Sequence, residues 1–312
     1  MNQTDLSKIF KSLGSVIGLI GLSLVLSFLT PAFLTVHNIL NVLRQVSVIS
    51  ILAAGETFVI LTGGIDLSVG SMLGLCGVML AGALKITGSP LLAVLIGLLF
   101  GGIMGLTNGL LVSKGKLPPF CATLGMMAIA RGLSFVYTQG RPISGFPQSF
   151  RVFGTGYLGP IPVPIIIALV VFIFAYYILS QTVFGRYVYS LGSNETATRM
   201  SGIKTDYYKT WVYLISGLLA GLAAVVFTAR INSGHPAAGE GYELDAIAAV
   251  VIGGTSLSGG EGTIIGTFIG ALIMGVIRNG LNLINVDPFW QQVVIGAVII
   301  FAVLADQRTK QR

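Results

Sequence analysis

Apolar residues run in long blocks along this chain, separated by short polar stretches. A helix needs ~20 such residues to span a hydrocarbon core. On that scale the pattern predicts helices near 13–30, 46–62, 68–86, 90–112, 118–138, 161–181, 208–229, 244–256, 262–283 and 289–305. The eighth is short, and the fifth is the least apolar and carries Arg131. Connections are short except two: 139–160, rich in Gly and Pro, and 182–207, which is polar. The whole chain, 1–312, reads as one all-α, polytopic membrane domain of about ten transmembrane helices, with no separate soluble domain.

Composition supports lipid as the solvent. Of 312 residues, 54% are hydrophobic and only 9% charged. A soluble domain carries about 25% charged residues. The 42 glycines suit close helix contact in a membrane, where a missing side chain lets backbones approach. The first residues, with Lys8 and Lys11, followed by ~17 apolar positions and no small-residue cleavage site, predict a retained first helix rather than a cleaved leader. Cys76 and Cys121 fall inside apolar stretches and form neither a disulfide framework nor a metal spacing.

The net charge is +7, but no dense basic patch interleaved with aromatics exists, so nucleic acid is not an expected partner. The cations instead serve as orientation signals. With both termini on the cytoplasmic side, the inner segments hold Lys8, Lys11, Lys114, Lys116, Arg186, Arg199, Lys204, Lys209, Arg308, Lys310 and Arg312. The outer segments hold Arg44, Lys85, Arg141, Arg151 and Arg230. Positive charge is enriched inside, and both termini are expected in the cytoplasm.

Two strings echo each other: GGIDLSVG at 63–70 and GGTSLSGG at 253–260. Asn108-Gly109-Leu110 likewise echoes Asn279-Gly280-Leu281. The order is the same in both halves, which points to an internal repeat. Gly63 and Gly64 can end the second helix through a left-handed cap, and Asp66 or Ser68 can cap the third. Gly253 and Gly254, followed by Ser256 and Ser258, can do the same for the eighth and ninth. Each hairpin is expected at the cytoplasmic edge, either as a capped turn alone or as the border of an inner gate. Glycines at 97, 101, 105 and 109, and at 262, 266 and 270, share one helix face in each set and predict tight packing.

Glu56, Arg131 and Arg278 lie within apolar segments, where a charge is costly unless paired or wetted. Rise per residue places Glu56 near mid-depth. Asn108, Asn279, Asn282, Gln291 and Gln292 can trade hydrogen bonds with the hydroxyls of a passing neutral polyol, or equally bond helix to helix. The histidines, His37 and His235, fall in predicted outer loops. No Gly-x4-Gly-Lys-Ser/Thr phosphate loop, Gly-x-Ser-x-Gly elbow or His-Glu-x-x-His pair occurs. The chain is therefore not expected to be an enzyme, to ligate a metal or to bind a cofactor of its own.

The stretch 184–209 differs from the rest. Asn194 or Ser193 can cap a short helix, Glu195 suits its first turn, and Gly202 can end it two turns later. Leu191, Ala197, Met200 and Ile203 offer apolar contacts. A short rigid helix outside the membrane is a handle for another protein, or a surface helix packed on its own domain.

GGIDLSVG at 63–70, GRYVYSLGSNETATRMSGI at 185–203 and GYELDAIAAVVIGGTSLSGGEGTIIGTFIGALIMGVIRNGLNL at 241–283 together resemble the permeases of ABC sugar importers, most closely the ribose permease group. The resemblance covers nearly the whole chain. It implies a bacterial inner-membrane protein and a pore of two permease copies or related chains. It further implies two cytoplasmic ATPase subunits, which bind ATP and Mg and dock on residues 185–203 of the 182–207 loop, and an extracytoplasmic sugar-binding protein that delivers substrate. It makes Arg186, Asn194, Glu195, Arg199, Ser201 and Gly202 the ATPase-contact candidates. Glu56 departs from that pattern, which expects a less acidic residue there. An ion-coupled carrier working alone, and a membrane scaffold, are the competing functions.

Overall fold

The computed structural model describes the backbone of residues 3–310 and the side chains of residues 14–304. The orientation signals at Lys8, Lys11, Arg308, Lys310 and Arg312 lie outside the described side chains. The chain is almost entirely helical: α1 (Gln3–Leu29), α2 (Val36–Leu61), α3 (Val69–Thr87), α4 (Pro90–Ser113), α5 (Pro119–Thr138), α6 (Gln148–Thr155), α7 (Val163–Gln181), α8 (Val183–Ser193), α9 (Glu195–Met200), α10 (Thr205–Ile231), α11 (Tyr242–Ile252), α12 (Ile264–Leu283) and α13 (Pro288–Lys310). Two two-residue ladders pair Ile143–Ser144 with Ser233–Gly234 and Tyr157–Leu158 with Ile161–Pro162.

Seven described helices, α2, α3, α4, α5, α7, α10 and α12, are long and apolar enough to cross a membrane. Exposed Phe28, Ile173, Phe174 and Phe301 cover the outside of the bundle, a surface suited to lipid. The chain is thus an all-α, multi-pass membrane protein. The helix α11 has 11 residues and rises only ~17 Å, about half of a ~30 Å core.

Local chemistry sets the ends. Thr35 caps α2 by accepting the Asn38 N–H, Ser89 caps α4 ahead of Pro90, and Thr263 caps α12. The α2 start at Val36 corrects the expected start at 46. The polar run His37, Asn38, Asn41, Arg44 and Gln45 belongs to the helix, although its polarity reads as a loop. That extension moves Glu56 off mid-depth: it lies five residues, ~8 Å, from the end of α2.

The centre of the bundle is α2, packed by α7, α10, α11 and α12. The tightest seam joins α4 and α10. A side chain at Gly97 would press on Leu80 and Val225, one at Gly101 on the Gly217 carbonyl, one at Gly105 on the Tyr213 carbonyl, and one at Gly109 on Thr210. The predicted glycine strip of α4 is therefore a backbone contact. In α12, Gly266 and Gly270 likewise meet Gly253 and Ala249. Gly262, predicted in the same strip, lies before the helix with φ +153°.

Candidate functional site

At one end of the bundle α2 and α11 terminate side by side with the same cap chemistry. Gly63 N–H donates to Ile60 O and Gly64 N–H to Val59 O. Gly254 N–H donates to Val251 O and Thr255 N–H to Val250 O. Gly63 and Gly254 have φ +76° and +87°, the left-handed geometry that needs glycine. The matched bonds pair Gly63 with Gly254, one residue out of step with the sequence echo, so Gly64 and Gly253 have different jobs. Gly253 lies against the Gly266 backbone, and a Cβ at Gly64 would crowd the Tyr213 hydroxyl at 2.5 Å.

The two turns touch. Gly260 N–H donates to Leu61 O at 3.0 Å, and Gly259 lies against Gly63. Ser256 and Ser258 do not cap α12 as expected. Ser256 Oγ accepts the Ser258 N–H at 3.2 Å, and Gly259, Gly260 and Gly262 hold the chain at positive φ until Thr263 starts the helix.

Into this junction fits α8, a helix that sequence reasoning left within the loop. Gly192 lies so close that an added Cβ would overlap Leu61 O and Gly260 N. Tyr189 Oη donates to Gly262 O at 3.0 Å, and burial pushes its phenol pKa up. Ser193 lies against Gly260.

Beyond α8 comes the expected short helix, α9. Asn194 Oδ1 accepts the Ala197 N–H at 2.9 Å, and Gly202, at φ +82°, follows its last turn. Arg199 bridges Glu195 and Asp206 at 3.0 Å each and donates from Nε to Thr205 at 3.1 Å. Lys209 holds Glu195 at 2.6 Å, and Lys116 holds Asp206 at 2.8 Å. Partial burial pushes the Glu195 carboxyl up, but the hydrogen bonds and charges of Lys209 and Arg199 outweigh it and hold it below the ordinary glutamate value. Glu195 and Arg199 thus fasten α9 to α10, and through Asp206 to the α4–α5 connection. The outward surface belongs to Arg186, Met200 and Ser201, with Met200 85% exposed. A shallow groove lined by Ser190, Ser193, Asn194, Ala197 and Ser201 runs between α8 and α9.

The segment after Gly63 does not form a tight turn at the edge. Residues 64–66 have no regular secondary structure, and Asp66 N–H reaches back to Glu56 Oε1 at 2.9 Å. The helix α3 therefore starts inside the bundle, level with Glu56. Ser68 occupies its N-cap position without a capping bond from its own side chain. Instead the Asp66 carboxylate takes the Ser68 N–H at 3.0 Å and the Ser68 hydroxyl. An acid two residues before the N-cap of a helix suits the positive end of its dipole. Asn108 Nδ2 donates to Ser68 Oγ at 2.9 Å and lies 3.4 Å from Asp66, and Ser216 approaches Asp66 from α10. Glu56, Asp66, Ser68 and Asn108 are all fully buried.

Of the remaining amide candidates, Asn279, Asn282 and Gln291 are paired within the chain, and Gln292 is exposed. Asn279 and Asn38 exchange amide bonds at 2.8 and 2.9 Å between α12 and α2. Gln291 donates to Asn282 Oδ1 and Val286 O, both at 2.9 Å. Arg278 pairs with buried Asp245 at 2.7 Å, and Arg131 donates to the Ala238 and Pro236 carbonyls. Asn38, Asp245 and Tyr213 escaped sequence reasoning because each is recognisable only beside its partner on a distant helix.

The family described as branched-chain amino acid transport system / permease component matches residues 38–303. The chain is 50% identical over 302 residues to the ribose import permease of Bacillus subtilis (strain 168), covering 96% of this chain and 94% of the relative. It is 48% identical to the ribose import permease of Escherichia coli (strain K12), covering 94% and 93%. To the D-allose transport system permease of the same strain it is 43% identical, covering 88% and 85%. No solved structure matches. These relatives are transport permeases, not enzymes. By the span of the family match, and by its identity with three sugar permeases along nearly their full length, this chain belongs to the branched-chain amino acid transport system permease family.

Proposed function

We propose that this chain is the transmembrane subunit of an ATP-driven importer in the bacterial inner membrane, and that its cargo is ribose. The observation that carries this is mechanical. The helix α9 is an ion-paired knob, and the helix before it, α8, rests on the junction of the α2 and α11 turns. Force applied to α9 reaches the ends of two helices at once.

In this account α9 faces the cytoplasm. Ten helices cross or enter the membrane: α1 to α5, α7 and α10 to α13. That places both termini in the cytoplasm, in keeping with the surplus of cations at the α9 end. Cytoplasmic ATPase subunits bind ATP and Mg and grip Arg186, Asn194, Met200 and Ser201. The groove between α8 and α9 receives a side chain from them. Glu195, Arg199 and Gly202 keep α9 stiff rather than forming the contact itself. A sugar-binding protein presents cargo at the opposite end, lipid surrounds the apolar faces, and a second permease copy completes the pore.

Closure of the ATPases displaces α8 and α9 together, because Thr182 caps α8 directly after α7 and the ion pairs lock α9 to α10. The α2 and α11 ends follow through Gly192 and Gly260. Between them they change which end of the pore is open. The chain itself does no bond chemistry.

Labelled ribose uptake into vesicles tests this. The chain with ATPase and binding protein, and ATP on the ATPase side, is expected to accumulate ribose. Uptake by the chain alone under an ion gradient would establish a secondary carrier, and no uptake under any condition would favour a scaffold.

A further inference from the structure

The outer half of α2 carries polar side chains that the coupling machinery does not use. His37, Asn41 and Arg44, three and four residues apart, share one helix face. Asn41 Nδ2 donates to His37 Nε2 at 3.2 Å, and Arg44 Nη1 donates to Asn41 Oδ1 at 3.0 Å. The Arg44 guanidinium stacks 4.8 Å over the Tyr157 ring, and Arg230 of α10 reaches the Arg44 carbonyl at 3.4 Å. The neighbouring face of the helix is closed, since Asn38 is locked to Asn279 on α12.

Three features set this strip apart from an ordinary interfacial one. Among the described residues no carboxylate pairs with Arg44. The Arg44 Nε is buried and has no hydrogen-bond partner. The Arg44 guanidinium faces the Tyr157 ring on the β-ladder, and Tyr157 keeps half its surface exposed. A planar guanidinium, an amide, an imidazole and an aromatic ring offer donors, acceptors and an apolar face. Together these match a neutral monosaccharide, whose hydroxyls both give and take hydrogen bonds and whose C–H face stacks on rings.

We propose that His37, Asn41, Arg44 and Tyr157 form a monosaccharide subsite at the mouth of the pore, taking sugar as the binding protein releases it. This deepens the importer account and rests on it. The strip lies within the first nine residues of α2, the ~13 Å at its N-terminal end, opposite the α9 knob. It precedes Asn279 and Gln291, which are buried, as the first sugar contact.

The test uses the assembled complex in vesicles with labelled ribose and labelled arabinose. In Arg44→Lys and Asn41→Ser, ribose uptake is expected to fall by roughly tenfold and the ribose-to-arabinose ratio to shift several-fold, since a lost hydrogen bond to a hydroxyl changes discrimination. His37 is exposed at the helix start, so His37→Ala should fold and assemble normally. It is expected to shift the ratio in the same direction. A wild-type ratio in His37→Ala, or wild-type uptake and ratio in the other two, overturns the subsite. Failure of the wild-type complex to take up either sugar contradicts the importer account instead, and the same vesicles tell the two failures apart.

Discussion

The Gly260 amide donates to the Leu61 carbonyl at 3.0 Å, joining the last turn of α2 to the loop between α11 and α12. Leu61 is also what Gly192 of α8 leans on. One carbonyl is therefore the meeting point of α8 and both motif turns. A push on α8 would bear on both turns.

Gly192→Ala should break this relay. The methyl group overlaps Leu61 O and Gly260 N, so α8 must lift from the junction. Misplacement on the ångström scale costs up to ~100-fold in a geometry-dependent step. Binding of the ATPase is expected to survive, because α9 is untouched, while sugar moved per ATP hydrolysed falls by roughly tenfold or more. Unchanged coupling would show that α8 does not transmit force here.

Asn194→Ala removes the cap of α9 and should cost ~1 kcal/mol of local stability. Expressed as ATPase affinity, that is about a fivefold loss, read by titrating the ATPase against the purified permease. Glu195→Lys should do more. It sets a third cation against Lys209 and Arg199 and removes the Lys209 tie between α9 and α10. Equal affinity for all three proteins would place the docking surface elsewhere.

The Glu195 carboxyl has a folded-state pKa below its ordinary value of ~4.3, with Lys209 and Arg199 outweighing burial. The sign follows from linkage: stabilisation by a depressed acid is present above the unfolded value and is lost as pH falls through the folded one. The thermal stability gap between wild type and Glu195→Gln should stay constant above ~pH 5 and close only below ~4. A gap that closes between pH 6 and 7 would contradict the assignment.

Glu56 and Asp66 are both fully buried but have different jobs. Glu56 supplies one acceptor, to the Asp66 N–H, and its second oxygen has no partner. Glu56→Gln keeps that acceptor and should change unfolding by less than ~1 kcal/mol. Asp66→Ala strips acceptors from the Ser68 amide and hydroxyl at the buried start of α3. Each orphaned donor costs ~1–3 kcal/mol, so a severe loss is expected by thermal unfolding in detergent. Equal damage from the two substitutions would mean that Glu56 carries a required charge.

Gly105→Ala should destabilise the α4–α10 seam by ~1–3 kcal/mol through overpacking, since its Cβ meets the Tyr213 carbonyl. Gly125→Ala and Gly132→Ala, where an added Cβ meets nothing within 4 Å, should be neutral or slightly stabilising. The same unfolding assay separates these classes.

The helical, membrane-spanning character of the chain and the α9 cap were legible in the sequence because both rest on local chemistry. Apolar run length marks a span, and Asn194 followed by Glu195 and Gly202 marks a short capped helix. The start of α2 was not legible, because the polar strip from His37 to Gln45 looks like a loop until Tyr157 and Asn279 are beside it. Nor was the climb of residues 64–66 back into the bundle, which depends on Glu56 receiving the Asp66 amide. The helix α8 was hidden for a similar reason. Gly185 and Gly192 lie within it, and only the Leu179 and Leu61 carbonyls against them explain why glycine is needed there.

The most direct test of the central claim is the reactivity of Met200→Cys in a Cys121→Ser background, where the remaining Cys76 is buried. In the free permease the new thiol should react fully with an impermeant reagent applied from the cytoplasmic side. In the assembled complex it should be shielded and should crosslink to the ATPase through a short bifunctional reagent, with shielding that changes on adding ATP. Full reactivity in the complex, or labelling only from the extracytoplasmic side, would contradict the account.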